Sequence, residues 1–197
     1  MHDTPLPTGL RIGCIVLAAG SSRRFGSDKR LFCLPSGTSL LQQTLTNLQP
    51  LFTRRVLVLR PGDSALAARF GNEWQIVTAI EAELGMGHSL AAAMSATRDW
   101  DGAVIALADM PWVLPTSVSR VRDAITPDTL VVPTFQGQRG NPVGVGSEYF
   151  GRLAQLQGDS GARQLMQEFG EQTIKLALDD PGLLRDLDLS PDQGMRP

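Results

Sequence analysis

Residues Ile12 to Ala19, IGCIVLAA, contain no charged side chain, and the run ends at Gly20. A stretch this short and this uniformly apolar suits a strand buried on both faces better than a helix of ordinary length. Strands covered on both faces belong to parallel sheets with helices on either side. That one segment points to an α/β fold before the rest of the chain is read. Its continuation is equally informative. Gly20 to Ser22 are small or hydroxylic, and the cations Arg23, Arg24, Lys29 and Arg30 follow. A glycine-containing basic loop after a buried strand suits a triphosphate. Its backbone N–H groups approach phosphate oxygens closely, and its cations neutralise them.

The chain beyond the loop alternates between two periodicities. Ser39 and Gln42 form a capping-box pattern ahead of Leu40, Leu41, Leu45 and Leu48 at helical spacing. Strands are expected at 56–59, 74–80 and 102–108, with helices at 64–70, 89–98 and 115–125 between and after them. Residues 129–135 read as a further strand, whose Pro133 suggests a bend or an edge position. A glycine-containing turn at 136–141 then leads to a returning strand at 142–145. Two helical pieces surround Gly158–Gly161, and 173–178 reads as a last strand. The pattern predicts a three-layer, Rossmann-like, mostly parallel sheet with a hairpin and helices added at one edge in the C-terminal third. A single domain is expected over 1–197. Residues 1–10 read as a tail, 12–125 as a nucleotide-binding part and 126–180 as an acceptor-binding part.

Several function classes fall away. A formal charge of −2 and a pI near 5.7 argue against nucleic acid as partner. The first ten residues lack a basic n-region and an apolar h-region, and no apolar run is long enough for a bilayer, so a cytoplasmic protein is expected. Two cysteines, Cys14 and Cys33, do not make a disulfide framework. There is no GxxxxGK[ST] P-loop. Gly85-x-Gly87 has Leu90 where a dinucleotide fingerprint needs its third glycine, so a dinucleotide-binding oxidoreductase is a minor reading. GDSG at 158–161 is similar to a serine-protease nucleophile segment, but it lies between helical pieces of an α/β chain.

In open α/β sheets, ligands bind beyond the carboxyl ends of the strands. Three unusual segments are expected there: the basic loop, Gly85-Met86-Gly87-His88-Ser89 at a helix start, and Asp109 after a long apolar strand. A strand-end carboxylate facing a basic loop fits a Mg2+ ligand. That ion commonly takes one or two carboxylates and fills its octahedron with water and phosphate oxygens. Asp109 as a helix N-cap or an arginine partner is the alternative. The glycines of the second segment equally serve backbone geometry alone.

Leu17-Ala18-Ala19-Gly20 with Ser22, Arg24, Gly26 and Lys29 resembles the LAAGxSxRxGxxK signature of the MobA-like nucleotidyltransferases. Within that superfamily the chain is most similar to molybdenum cofactor cytidylyltransferases. Leu107-Ala108-Asp109-Met110-Pro111 resembles their metal-binding LADMP segment. Gly85 to Leu90 resembles their GMGxSL, where guanylyltransferases carry a GPLAG-like segment. Arg139-Gly140-Asn141-Pro142-Val143 and Gly158 to Arg163 resemble RG[HN]PV and GDxGAR. The C-terminal segment departs from DIDTPED by one extra residue, and Asp188 is its candidate for a second metal ligand.

The resemblance implies a nucleotide-diphospho-sugar transferase-like fold and transfer of CMP from CTP to a molybdopterin-type cofactor, with Mg2+. Arg24, Lys29 and Asp109 would act in catalysis, while Arg23 and Arg30, which match no signature position, are expected as ordinary surface charges. Leu17, Ala18, Ala19, Gly20, Ser22, Gly87 and Ser89 would join them in binding the nucleotide. Arg139, Asn141, Pro142, Asp159 and Arg163 would receive the acceptor. A recipient molybdoenzyme or its chaperone is an implied partner, and a membrane is not. The alternatives are a guanylyltransferase or sugar-phosphate enzyme with another base or acceptor, and a non-catalytic carrier of the cofactor.

Overall fold

The computed structural model of the chain describes residues 9–20, 25–159 and 161–185. Alternation holds through the first two thirds: β1 (Ile12–Leu17), α1 (Leu40–Leu48), β2 (Arg55–Leu59), α2 (Ser64–Phe70), β3 (Gln75–Thr78), α3 (Met86–Ala93), β4 (Gly102–Leu107) and α4 (Pro115–Asp123). It then stops. β5 (Leu130–Phe135), β6 (Gln138–Arg139) and β7 (Val143–Gly146) follow directly, then α5 (Phe150–Leu153), α6 (Gly161–Glu168) and β8 (Thr173–Ala177).

β1 shows why the sheet is covered on both sides. Cys14 and Val16 enter one apolar layer, where Leu45 of α1, Phe70 of α2 and Val121 of α4 meet them. Ile15 and Leu17 enter the other, with Leu90 of α3, Leu153 of α5 and Leu165 of α6. Burial raises the thiol pKa of Cys14, which is fully packed, and both cysteines are free. Each buried Leu or Ile side chain contributes on the order of 2 kcal/mol, so the two layers dominate the stability of the fold.

The strand order is β3-β2-β1-β4-β7-β5-β6, with β8 beside β5. β1 through β4 run parallel, and β8 runs parallel to β5. The sheet is therefore mostly parallel and mixed, within an α/β fold. Two details differ from the pattern reading. The returning strand β7 does not lie at an edge. It inserts antiparallel between β4 and β5. Gly146 permits this, since a Cβ there would lie 2.2 Å from the Pro127 carbonyl oxygen. β5 is likewise interior. Pro133 falls where its partner changes from β7 at Leu130–Val131 to β6 at Thr134–Phe135, so its missing N–H interrupts no ladder on that side.

The other boundaries shift by a few residues. α3 starts at Met86 rather than Ser89, because Gly85 at φ +130° turns the chain directly into the helix. Half of the expected capping box forms: Ser39 Oγ accepts from the Gln42 N–H at 3.3 Å. The Gln42 side chain instead reaches Thr46 and Arg69.

Candidate active site

β1, β2 and β4 are parallel neighbours, so their carboxyl ends lie along one edge of the sheet. A cleft of about 580 Å³ opens there. Its lining includes Leu17, Ala18, Ala19 and Gly20 from the end of β1, Lys29 from the basic loop, Ser89 from α3 and Asp109 from beyond β4.

Lys29 begins a single 3-10 turn, Lys29–Leu31, capped by Asp28. Its Nζ lies 2.7 Å from Asp109 Oδ2. Their side chains are 11% and 23% exposed, so the pair is largely sheltered from water, where charges interact more strongly than at the surface. The turn holding Asp109 and the segment after it are braced by three side chains. Thr44 Oγ1 donates to the Ala108 carbonyl at 3.1 Å, and Asn47 Nδ2 to the Pro111 carbonyl at 2.9 Å, both from α1. Buried Asp180 accepts from Leu114 N–H at 3.0 Å and from Gly182 N–H at 2.9 Å.

The other carboxylate oxygen, Asp109 Oδ1, is buried and has no hydrogen-bond partner among the described residues. A buried carboxylate oxygen without a donor is costly unless a cation or ligand meets it. It is a hard oxygen donor, as Mg2+ and Mn2+ prefer, and its position beside the phosphate-type loop fits a metal shared between carboxylate and phosphate oxygens. No group of three or more His, Cys, Asp or Glu capable of holding a metal occurs among the described residues, so a closed all-protein cage is not what these residues build.

The second glycine segment does something the sequence left open. A Cβ on Gly85 would lie 2.2 Å from the Gly158 carbonyl carbon, and one on Gly87 would lie 2.9 Å from the Gln157 oxygen. Gly87 N–H donates to the Gly158 carbonyl at 2.7 Å. Both glycines are thus docking points for the 157–159 segment, and Asp159 reaches the cleft lining through that docking. Gly87 itself is not among the cleft-lining residues. His88 lies away from the cleft, in a separate groove with Ile80 and Gln155, and its Nδ1 is 3.1 Å from Glu81 Oε2.

The remaining acceptor candidates do not line the cleft. Arg139 is exposed on β6. Asn141 donates its N–H to the Leu183 carbonyl at 3.0 Å and precedes a cis bond to Pro142. Pro142 lines a small cavity with Ala106 and Met110. Arg163 is exposed on α6. Ser22, Arg24 and Asp188 lie outside the described residues. The described chain ends at Arg185, whose guanidinium sits 4.1 Å from the ring centroid of Trp112, three residues past Asp109.

Some cleft residues were not singled out from the sequence. Phe25, Glu83 and Met86 belong to the lining. Phe25 packs edge-on against Phe32 with centroids 5.5 Å apart, across the base of the basic loop. Arg30 corrects a reading outright. As a charge in a basic loop it resembled an ordinary surface cation, but it is 4% exposed and bonded to Asp28, Asp63 and the Ala18 carbonyl. Asp63, which opens α2, gave no hint of this in the sequence, because a residue at an N-cap position gives no sign that its side chain is committed elsewhere.

No helix among the described residues is long and apolar enough to cross a membrane. Residues 14–174 match the model of the MobA-like NTP transferase domain. The chain is 26% identical over 178 residues to the nicotine blue oxidoreductase of Paenarthrobacter nicotinovorans, covering 85% of this chain and 86% of that one. Among solved structures, Rv0371c of Mycobacterium tuberculosis superposes with a TM-score of 0.78 at 28% identity, over 93% of this chain and 96% of that chain. A complex of the same protein with manganese superposes with a TM-score of 0.73 at 27% identity, over 85% and 88%. The molybdopterin-guanine dinucleotide biosynthesis protein A of Archaeoglobus fulgidus shares the fold, with a TM-score of 0.65 at 18% identity over 91% and 93%.

Proposed function

The chain belongs to the MobA-like NTP transferase family, and we propose that within it the protein transfers CMP from CTP to the terminal phosphate of a molybdenum-bearing molybdopterin. The observation that carries the transferase part is the meeting of Lys29 with one oxygen of Asp109, while the other oxygen is buried without a hydrogen-bond partner among the described residues. A cation and an acid placed by different strands at one sheet edge suit a nucleoside triphosphate and its metal. The CTP and cofactor part rests on Gly85-Met86-Gly87-His88-Ser89-Leu90, Arg139 to Val143 and Gly158 to Arg163, which resemble the cytidylyltransferase segments.

In this reading the acceptor phosphate oxygen attacks the α-phosphorus of CTP. A new P–O bond forms, the bond to the bridging β-phosphate oxygen breaks, and pyrophosphate leaves with that electron pair. No covalent enzyme intermediate is needed, so the protein acts by positioning and by neutralising charge. The β1 end and its loop hold the triphosphate, with Arg24 and Lys29 as its cations. Lys29 stabilises the charge growing on pyrophosphate. Asp109, with Asp188 as a second candidate, would hold Mg2+, which supplies charge neutralisation on the phosphate oxygens. Ser89 lies in the cleft wall, where base or ribose would rest, and Gly87 positions that wall from behind. Asp159 bounds the cleft on the acceptor side, with Arg139, Asn141, Pro142 and Arg163 beyond it. The protein that receives the finished cofactor would be a molybdoenzyme or its chaperone, and the reaction is cytoplasmic.

The test is pyrophosphate release with CTP, GTP, ATP and UTP, each with and without molybdenum cofactor. Release with CTP only when cofactor is present is expected. Preference for GTP would leave the transferase reading standing and overturn the cytidylyl assignment. No release with any triphosphate and authentic cofactor would favour a carrier.

The nicotine blue oxidoreductase relative favours a second reading, reduction with a nicotinamide nucleotide. Against it, the N–H groups of Gly85 and Gly87 already donate to the Ala82 and Gly158 carbonyls, so neither is left for a pyrophosphate. Tight NADH or NADPH binding by calorimetry, with none for CTP, would reverse the order of the two.

A further inference from the structure

Lys29 and Arg30 are neighbours in a loop that reads as uniformly basic, and they are used in opposite ways. A guanidinium has five N–H donors in a fixed fork. Arg30 gives all five to the protein. Nε and Nη2 donate to the two oxygens of Asp28 at 2.8 and 2.6 Å. Nη1 and Nη2 donate to the two oxygens of Asp63, the latter at 2.8 Å. The remaining Nη1 hydrogen goes to the Ala18 carbonyl at 2.7 Å. Burial works against the charged guanidinium, but its bonds to Asp28 and Asp63 outweigh burial, and its pKa is raised. Two bidentate carboxylates and a carbonyl leave Arg30 no donor for a phosphate.

Asp63 shows the cost of this arrangement. It stands at the N-cap of α2, where an aspartate normally accepts from a helical N–H, and its side chain makes no such bond. Its oxygens are taken by Arg30 and by the backbone N–H of Arg60, 3.2 Å from Oδ2. The Arg60 side chain then reaches both ends of the basic loop. Nη1 donates to the Gly20 carbonyl at 3.2 Å, and Nη2 to Asp28 Oδ2 at 3.1 Å. Gly20 closes the β1 end, and Asp28 opens the turn that carries Lys29. The four side chains, two Arg and two Asp, cancel in charge.

We infer that Arg30 and Arg60 are positioning residues that set the spacing between the two ends of the phosphate loop, and so tune triphosphate affinity without touching the nucleotide. This rests on the triphosphate reading of that loop. Lysine cannot replace either residue, since an ammonium has no planar fork to join two carboxylates, or a carboxylate and a carbonyl.

Arg60 is the cleaner probe, because its side chain is 30% exposed while that of Arg30 is deeply buried. For Arg60→Ala the nucleotide KM should rise about tenfold with kcat changed less than about threefold, the split expected when binding geometry rather than chemistry is disturbed. Arg60→Lys should not restore it. A merely structural role would lower the active fraction, and hence kcat, at unchanged KM. Amide exchange provides the second readout: residues 18–20 and 25–28 should exchange faster in Arg60→Ala than in wild type, with the helices unchanged. Wild-type KM together with wild-type exchange in Arg60→Ala overturns the inference, as does a fall confined to kcat. If wild-type protein binds no triphosphate by calorimetry, the functional reading fails, and unchanged or faster exchange at 18–20 and 25–28 still decides whether the clamp exists.

Discussion

The part up to α4 and the part after it are built differently. In the first, strands run parallel and every crossover returns the chain to the same sheet edge, so the loops after β1 and β4 must converge. In the second, β6 and β7 turn back on β5, and the segments expected to receive the acceptor disperse: Asp159 lines the cleft, while Arg139 and Arg163 are exposed outside it. Parallel topology concentrates chemistry at an edge without help from particular side chains. The later part reaches the same edge only where a specific contact brings it, as Gly158 does by docking on Gly85 and Gly87.

The sharpest test of this contrast is at the converging loops. Lys29→Ala or Asp109→Ala should lower kcat by about 10²–10³, the scale for removing one charge-stabilising group from an active site. Thermal midpoints should stay close to wild type, since neither residue belongs to an apolar layer. Near-normal turnover of both variants at saturating CTP and Mg2+ would remove the catalytic assignment.

Gly85→Val attacks one of the two docking points. A side chain there meets Gly158 backbone and must also adopt φ +130°, so a destabilisation of about 2–4 kcal/mol is expected. Denaturant unfolding measures it. An unchanged midpoint would mean that the 157–159 segment is not held as described.

Arg139→Ala separates the two parts most directly. It should raise the acceptor KM about tenfold and leave the CTP KM unchanged, as loss of one exposed substrate contact does. Equal effects on both substrates would end the division into a nucleotide part and an acceptor part.

The smallest effect concerns acid. The hydrogen bond to Arg30 holds the Asp28 carboxyl below its usual range. A folded-state pKa below the unfolded one means that this contribution is fully present above the ordinary aspartate value of about 4 and is lost as pH falls through the folded value. The midpoint of wild type should therefore drop more steeply below about pH 4 than that of Asp28→Asn. Parallel curves would show that Asp28 carries no such linkage.

Much of this was legible in the chain itself. A short apolar run with no charged residue suits a covered strand better than a helix, and β1 forms inside the expected 12–19. α2 forms over the expected 64–70, because its Pro-Gly-Asp turn and apolar spacing are local signals. Helix and strand ends were less legible, as with α3, because backbone geometry at Gly85 decides them. The position of β7 was not legible. Pairing with β4 rather than an edge depends on how close α4 and its following turn let the strand approach.

What the sequence alone determined, then, is the layered parallel half and the residues at its strand ends, since both follow from short-range pattern and from the rule that parallel strands share a ligand edge. Tertiary structure decided how those residues are used. Lys29 and Arg30 are adjacent cations with the same local surroundings in the chain. One faces Asp109, and the other is saturated by Asp28, Asp63 and the Ala18 carbonyl. Asp28 takes part of the Arg30 fork locally, but the second carboxylate, Asp63, is brought by the turn after β2, and a fork of five donors takes whatever acceptors the fold delivers to it.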